Sequence, residues 1–308
     1  MKFGIHNPSW LFGSEDIFEA LKRKAQWAET HGFSWLSLMD HLIQMHGVGD
    51  PEEPFMESWS TLSALAAVTS RIRLGILVTS VAYRNPAHLA KIAAGVDIIS
   101  RGRLTFGIGA GWYVEEYNQY GWIFPEKPAV RIAQMEEAIQ VALKMWSEPR
   151  ATFDGKYFHI HDAILEPKPV QKPHPPILIG GSGEQLTLRA VARWADACNL
   201  FGDPDTVKSK YEVLHRHCEE LKRDPNTIEH TNSTTLLLAK DEAALKARKE
   251  RMHLPDPFRG YALTVSQAVD LVGKYQDAGT QMLIFTSYKN DVETMELFAE
   301  NVVAKFGK

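Results

Sequence analysis

The chain is poor in cysteine. Its 308 residues hold two, Cys198 and Cys218, too few for a disulfide framework and without the CxxC spacing of a metal site. It also lacks a basic excess. Lys and Arg number 34 against 38 Asp and Glu, a formal charge of −4, so no global field draws it to nucleic acid. No apolar run approaches the ~18 residues of a membrane span. The opening Met1–His6 has neither the basic stretch nor the long apolar segment of a secretion signal. These absences lead us to expect a soluble cytoplasmic protein with reduced thiols. Glycine (21) and proline (16) are present in ordinary amounts, which excludes collagen-like and low-complexity chains. There is no GxGxxG after a first strand, no Walker loop, no GxSxG elbow and no cysteine-nucleophile signature. The close histidine pairs, His159/His161 and His215/His217, have no carboxylate cluster at ligand spacing, so no metal is expected.

What is present is an alternation of short apolar runs with longer amphipathic segments. The pattern predicts strands at Phe3–His6, Phe33–Met39, Ile72–Thr79, Arg103–Ile108, Ile177–Ile179, Asp196–Leu200, Thr234–Ala239 and Met282–Thr286. Helical spacing follows each of them in turn, over Glu15–Thr30, Glu57–Thr69, Pro86–Ser100, Arg131–Trp146, Gln185–Trp194, Thr206–Lys222, Ser266–Ala278 and Val292–Phe306. Ser14 is the candidate cap of the first helix. Asp154-Gly155 makes Phe153–Ile160 an inserted hairpin. Repeated βα units force parallel pairing with right-handed crossovers. Eight of them predict one (β/α)8 TIM-barrel domain over residues 1–308, with insertions near 112–127, 150–176 and 241–262. A doubly wound open sheet is the alternative.

Barrel chemistry belongs at the C-terminal ends of the strands. Those ends carry His6 and Asn7; Asp40 and His41; Val78 to Ser80; Gly107, Gly109 and Gly111; Gly180 to Gly183; Asn199; and Ser287. Asp40-His41 is the most chemical pair, because an imidazole exchanges protons near neutrality. The glycines of the fourth strand suit close backbone approach, to a flat ring or to a neighbouring strand. Gly180-Gly181-Ser182-Gly183 opens a helix and predicts an anion site, with Ser182, Thr187 and Arg189 as added donors.

The stretches Leu38-Met-Asp40-His41, Arg71 to Pro86, Asp97 to Trp112, Pro167 to Gly181 and Trp194 to Asn199 together resemble the bacterial luciferase-like superfamily. The resemblance is nearest to its deazaflavin (coenzyme F420)-dependent oxidoreductases. It implies a TIM barrel, usually dimeric, with a flavin or deazaflavin across the C-terminal mouth. It implies a non-proline cis peptide at or near Leu77-Val78 behind the ring. The cofactor residues it implies are Leu77, Val78, Thr79, Gly107, Gly109, Gly111, Gly180, Gly181, Ser182, Gly183 and Asn199. His41 would lie near the reactive ring, with Asp40 assisting. The implied reaction is hydride transfer between reduced coenzyme F420 and a small organic substrate. An FMN-dependent monooxygenase and a non-catalytic flavin-binding protein are the alternatives. Where sugar-phosphate dehydrogenases of the group have a catalytic glutamate, this chain has Trp112, which favours an apolar or aromatic substrate. No motif places Glu115 or Glu116 in the site. Trp112, and Trp10 with it, are expected at the mouth.

Overall fold

The computed structural model of the chain describes residues 1–13 and 15–307. Eight parallel strands close into a barrel: Lys2–Asn7, Trp35–Leu38, Arg73–Ile76, Leu104–Gly109, Ile177–Gly180, Ala197–Phe201, Glu229–Ala239 and Met282–Ser287. Closure comes from the last strand pairing with the first, Lys2 opposite Met282 and Ile5 opposite Phe285. The expected barrel is therefore the fold. Its helices cover the outside, and the predicted hairpin is the antiparallel pair Ala151–Asp154 and His159–Ala163.

Strand alternation sorts side chains into two apolar layers. Phe3, Ile5, Leu36, Leu38, Leu74, Phe106 and Leu283 face the helices and join the main core. Trp35, Leu178, Ala197, Met282 and Ile284 form a second, smaller cluster inside the barrel. Trp35 is its largest member. Its ring needs bare neighbours: a Cβ on Gly75 would come 2.8 Å from Trp35 Cζ2, and one on Gly4 would come 3.2 Å from Cε3.

Several boundaries differ from the sequence pattern. The first helix spans Ile17–Thr30, and Asp16 caps it by accepting from the Glu19 N–H; Ser14 lies outside the described residues. The seventh strand begins five residues early, at Glu229, because His230-Thr-Asn-Ser-Thr looks polar yet is largely buried. The 241–262 insertion folds into a helix, Glu242–Arg251, and a strand, Tyr261–Thr264, that extends the sheet beside Leu236–Ala239. The last helix is interrupted by a π turn at Ala299–Val303. Trp10, three residues past the end of the first strand, is fully buried with its ring edge-on to Phe55.

Two features of the frame give expected results. Gly95 lies inside the helix Pro86–Ile99, and a Cβ there would meet nothing within 4 Å. Gly95→Ala should raise unfolding stability by about 0.5–1 kcal/mol, since helical glycine loses more backbone entropy than alanine. A urea titration measures it. His230 stacks on Tyr211 at 4.1 Å, and its Nε2 lies 3.3 Å from that of His215. Burial, then the neighbouring His215, pushes the His230 pKa down to about 4. The folded chain thus binds this proton less readily than the unfolded chain. The stability it contributes is complete above about pH 6.5 and is lost as pH falls towards 4. His230→Gln should flatten the fall in Tm between pH 7.5 and 5.

Candidate active site

The site is built around a break in the third strand. Pairing runs to Ile76, the Leu77–Val78 peptide is cis, and pairing resumes at Thr79–Ser80 opposite Ile108 and Gly109. The bulge falls where the resemblance implied it. It also explains the glycines around it. A Cβ on Gly107 would sit 1.8 Å from the Ile76 carbonyl oxygen. One on Gly109 would sit 2.6 Å from Val78 Cγ2, and one on Gly180 would meet both Val78 methyls at 3.0 and 3.1 Å. One on Gly111, whose φ is +78°, would meet Tyr117 Oη at 2.3 Å and Ser80 Oγ at 2.4 Å. Of the two uses open to the fourth-strand glycines, close approach of a neighbouring strand is the one the structure displays.

Asp40 holds this bulge. Its Oδ2 accepts from Thr79 Oγ1 at 2.5 Å and from Arg84 Nη1 at 2.7 Å, and its Oδ1 accepts from Arg84 Nη2 at 3.0 Å. Trp59 Nε1 donates to the same Thr79 hydroxyl at 2.7 Å. Arg84 also pairs with Glu57. Both carboxylate oxygens are thus committed to the third-strand connection, and the group that engages His41 is a different one.

That group is Glu116. Its Oε2 lies 2.7 Å from His41 Nδ1 and also accepts from the Tyr83 hydroxyl. Its Oε1 accepts from the backbone N–H groups of Leu42 and Ile43. Glu116 is fully buried. Burial alone pushes its pKa up, but the donors from His41, Tyr83 and Leu42 outweigh that and hold the carboxyl below its ordinary value. The Tyr83 hydroxyl is pushed well up, by burial first and then by Glu116. A carboxylate on Nδ1 fixes the imidazole's orientation and stabilises its charged form, the second half of an acid–base pair. Trp112 is 61% exposed, with its ring centroid 5.9 Å from that of His41. Glu115 does not touch His41: it accepts from the Tyr113 hydroxyl and pairs with exposed His46.

Glu116, Tyr83, Arg84 and Trp59 were missed by sequence reasoning. Glu116 sits on Val114–Gln119, a helix of six residues, too short to show periodicity. The available signal was position: a carboxylate in the first turn of the short helix after the fourth strand can return to the mouth.

On the opposite wall, Asn199 Oδ1 accepts from the Thr231 and Ser233 hydroxyls, both at 3.0 Å. This fixes the amide and leaves Nδ2 buried with no partner among the described residues. Gly181, at φ +127°, donates its N–H to the Asn199 carbonyl at 3.1 Å. The loop through Ser182 and Gly183 then enters the helix Thr187–Trp194, whose first turn has no side-chain cap. Arg189 is not available to an anion there, being paired with Glu220 at 2.6 Å.

A closed parallel barrel with a bulged third strand and a histidine–carboxylate pair at its C-terminal mouth defines a class of TIM-barrel enzymes. The luciferase-like monooxygenase family matches residues 1–306. The chain belongs to that family, and so to its flavin- and deazaflavin-type oxidoreductases. It is 26% identical to the F420-dependent glucose-6-phosphate dehydrogenase of Microbacterium testaceum, covering 100% of this chain and 98% of that one. It is 35% identical to the pyrimidine monooxygenase RutA of Bradyrhizobium sp. over 61% of its own length and 52% of the relative's. An uncharacterized protein of Mycobacterium tuberculosis is 32% identical, over 56% of this chain and 64% of its own. The chain therefore spans about half to two thirds of these last two relatives. Among solved structures, an F420-dependent secondary alcohol dehydrogenase in complex with an F420–acetone adduct superposes with a TM-score of 0.81 at 21% identity, covering 98% of each chain.

Proposed function

We propose that the protein transfers a hydride between coenzyme F420 and a small, unphosphorylated organic substrate. The observation that carries this reading is the His41–Glu116 pair at the barrel mouth, beside the third-strand bulge. The glucose-6-phosphate dehydrogenase relative and the alcohol dehydrogenase neighbour, both F420-dependent by name, support the cofactor.

The chain's own residues fit a flat heterocycle with a phosphate tail. Val78 offers an apolar shelf between Gly109 and Gly180. Asn199 Nδ2 is a buried donor without an acceptor, a state that costs stability unless something fills it. The Gly181–Gly183 loop, with Ser182, leads into an uncapped helix start suited to an anion. When bound, the ring supplies hydride chemistry. The protein orients it and manages a proton: Glu116 holds His41 by Nδ1, leaving Nε2 to give or take a proton at the substrate. Asp40 acts through Arg84 and Thr79 as a positioning residue.

The substrate reading rests on charge. Near the mouth, Arg84 is spent on Asp40 and Glu57. Arg131 is spent on the carbonyls of Gly111, Pro125 and Glu126. Neither arginine is left unpartnered to hold a sugar phosphate.

The FMN-dependent monooxygenase reading is kept alive by the identity to the pyrimidine monooxygenase RutA, higher than that to the F420-dependent relative. Titrating the purified protein with coenzyme F420 and with FMN, following ring fluorescence, separates the two. Tight binding of F420 and substrate-dependent reduction of it without oxygen support the proposal. Binding of FMN alone, with oxygen consumption, supports the rival.

A further inference from the structure

A second histidine faces the mouth and is not used by the His41–Glu116 pair. Phe3 and Ile5 belong to the outer core, so alternation turns Gly4 and His6 to the inside of the barrel. His6 pairs in register with Ser37 on the second strand. Its Nδ1 lies 2.9 Å from Ser37 Oγ, and Ser37 is fully buried. Its Nε2 has no partner among the described residues.

The two histidines have opposite surroundings. His41 has a carboxylate on Nδ1. His6 has a hydroxyl there, and the amine of Lys24, its pKa pushed down to about 7 by burial, stands in the wall behind it. Lys24, almost fully buried, donates to Asn7 Oδ1 and Asn290 Oδ1 at 2.8 Å each, with no carboxylate partner. Burial first, then the charges of Lys24 and His41, push the His6 pKa down to about 3, against a smaller upward pull from the Ser37 backbone. His6 therefore stays neutral across the working range. The Ser37 hydroxyl has no acceptor among the described residues other than His6 Nδ1. In the tautomer where the Ser37 hydroxyl donates to Nδ1, the ring proton of His6 sits on Nε2. Two imidazoles of one site, one held by a carboxylate and one by a hydroxyl, are set up for different tasks.

We propose that His6 is a second cofactor-contacting residue: a neutral imidazole, oriented by Ser37, whose Nε2–H donates to an acceptor atom of the heterocycle at the barrel mouth. This rests on the reading of a flavin-type ring there. His41 then handles the mobile proton, and His6 supplies a fixed hydrogen bond that does not change charge during turnover. Ser37 is a positioning residue.

The test is equilibrium binding, independent of any substrate. Wild type, His6→Leu, His6→Gln and Ser37→Ala are titrated with coenzyme F420 and with FMN, recording ring fluorescence and visible absorbance, with thermal melts in parallel. His6→Leu should weaken the bound ring about tenfold and abolish part of its absorbance shift, as loss of one well-placed donor does. His6→Gln, which keeps an N–H donor, should recover most of both, and Ser37→Ala should fall between. If His6→Leu does not fold, the wild-type, Gln and Ser37→Ala titrations decide: Ser37→Ala matching wild type in both readouts overturns the proposal. If every folded variant binds the ring like wild type with an unchanged spectrum, the role of His6 fails while the ring site stands. If wild type binds neither ring, the underlying reading fails and this proposal with it.

Discussion

Glu116→Gln is expected to lower turnover by about a hundredfold, within the range of a lost acid–base partner. The substitution keeps the shape and keeps one oxygen for the Leu42 and Ile43 N–H groups. Its amide nitrogen then faces His41 Nδ1, which must become an acceptor. The His41 proton is forced onto Nε2, and the imidazole loses its carboxylate partner. Tyr83 also loses its acceptor on Oε2, so a cost of about 1–2 kcal/mol in stability is expected. Glu116→Ala is different in kind. It strands every donor that converges on this buried carboxylate, and more than about 3 kcal/mol should be lost. The Nδ1 and Nε2 nitrogen shifts of His41 report the tautomer directly, and kcat on any demonstrated substrate reports the consequence. Turnover unchanged in Glu116→Gln would remove the pair from the mechanism.

Gly107→Ala is expected to be the most damaging small substitution in the barrel. The added Cβ would lie 1.8 Å from the Ile76 carbonyl oxygen. That neighbour is backbone, so no rotamer change relieves the clash. Either the fourth strand or the third-strand bulge must move, and both carry the site. A loss above about 3 kcal/mol is expected, seen as a large drop in the urea midpoint or as insoluble protein. Gly95→Ala, with empty space around its Cβ, is the paired control and should move the midpoint the other way. A Gly107→Ala protein as stable as wild type would show that the bulge is not packed as described.

The barrel was legible because its signal is repetition. Eight apolar runs between amphipathic segments leave few topologies, and small boundary errors do not change the pairing. The third-strand bulge came only from resemblance, since no local pattern in Ile76-Leu-Val-Thr says that the strand breaks. His41 was legible as a histidine at a strand end. Its partner was not, because Asp40 is adjacent in sequence and Glu116 is 75 residues away. Asp40 and His41 lie just past the second strand, which ends at Leu38, and there Asp40 turns to Arg84 while His41 turns to Glu116. The glycines were marked as sites of close approach, but only the built strands show that Val78 and the Ile76 carbonyl do the approaching. Three of the tryptophans could not be placed from spacing: Trp35 fills the barrel, Trp59 bonds Thr79 and Trp122 stacks on Tyr83; Trp112, expected at the mouth, stands exposed beside His41.

The central claim is that a flavin-type ring lies at the mouth of this barrel between the third-strand bulge and His41. A crystal structure of the protein soaked with coenzyme F420 tests it most directly. The account predicts the ring in van der Waals contact with Val78, His41 on its reactive side, and the phosphate on the Gly181–Gly183 loop. A ring bound elsewhere, or a mouth that excludes it while the protein stays folded, would contradict the account.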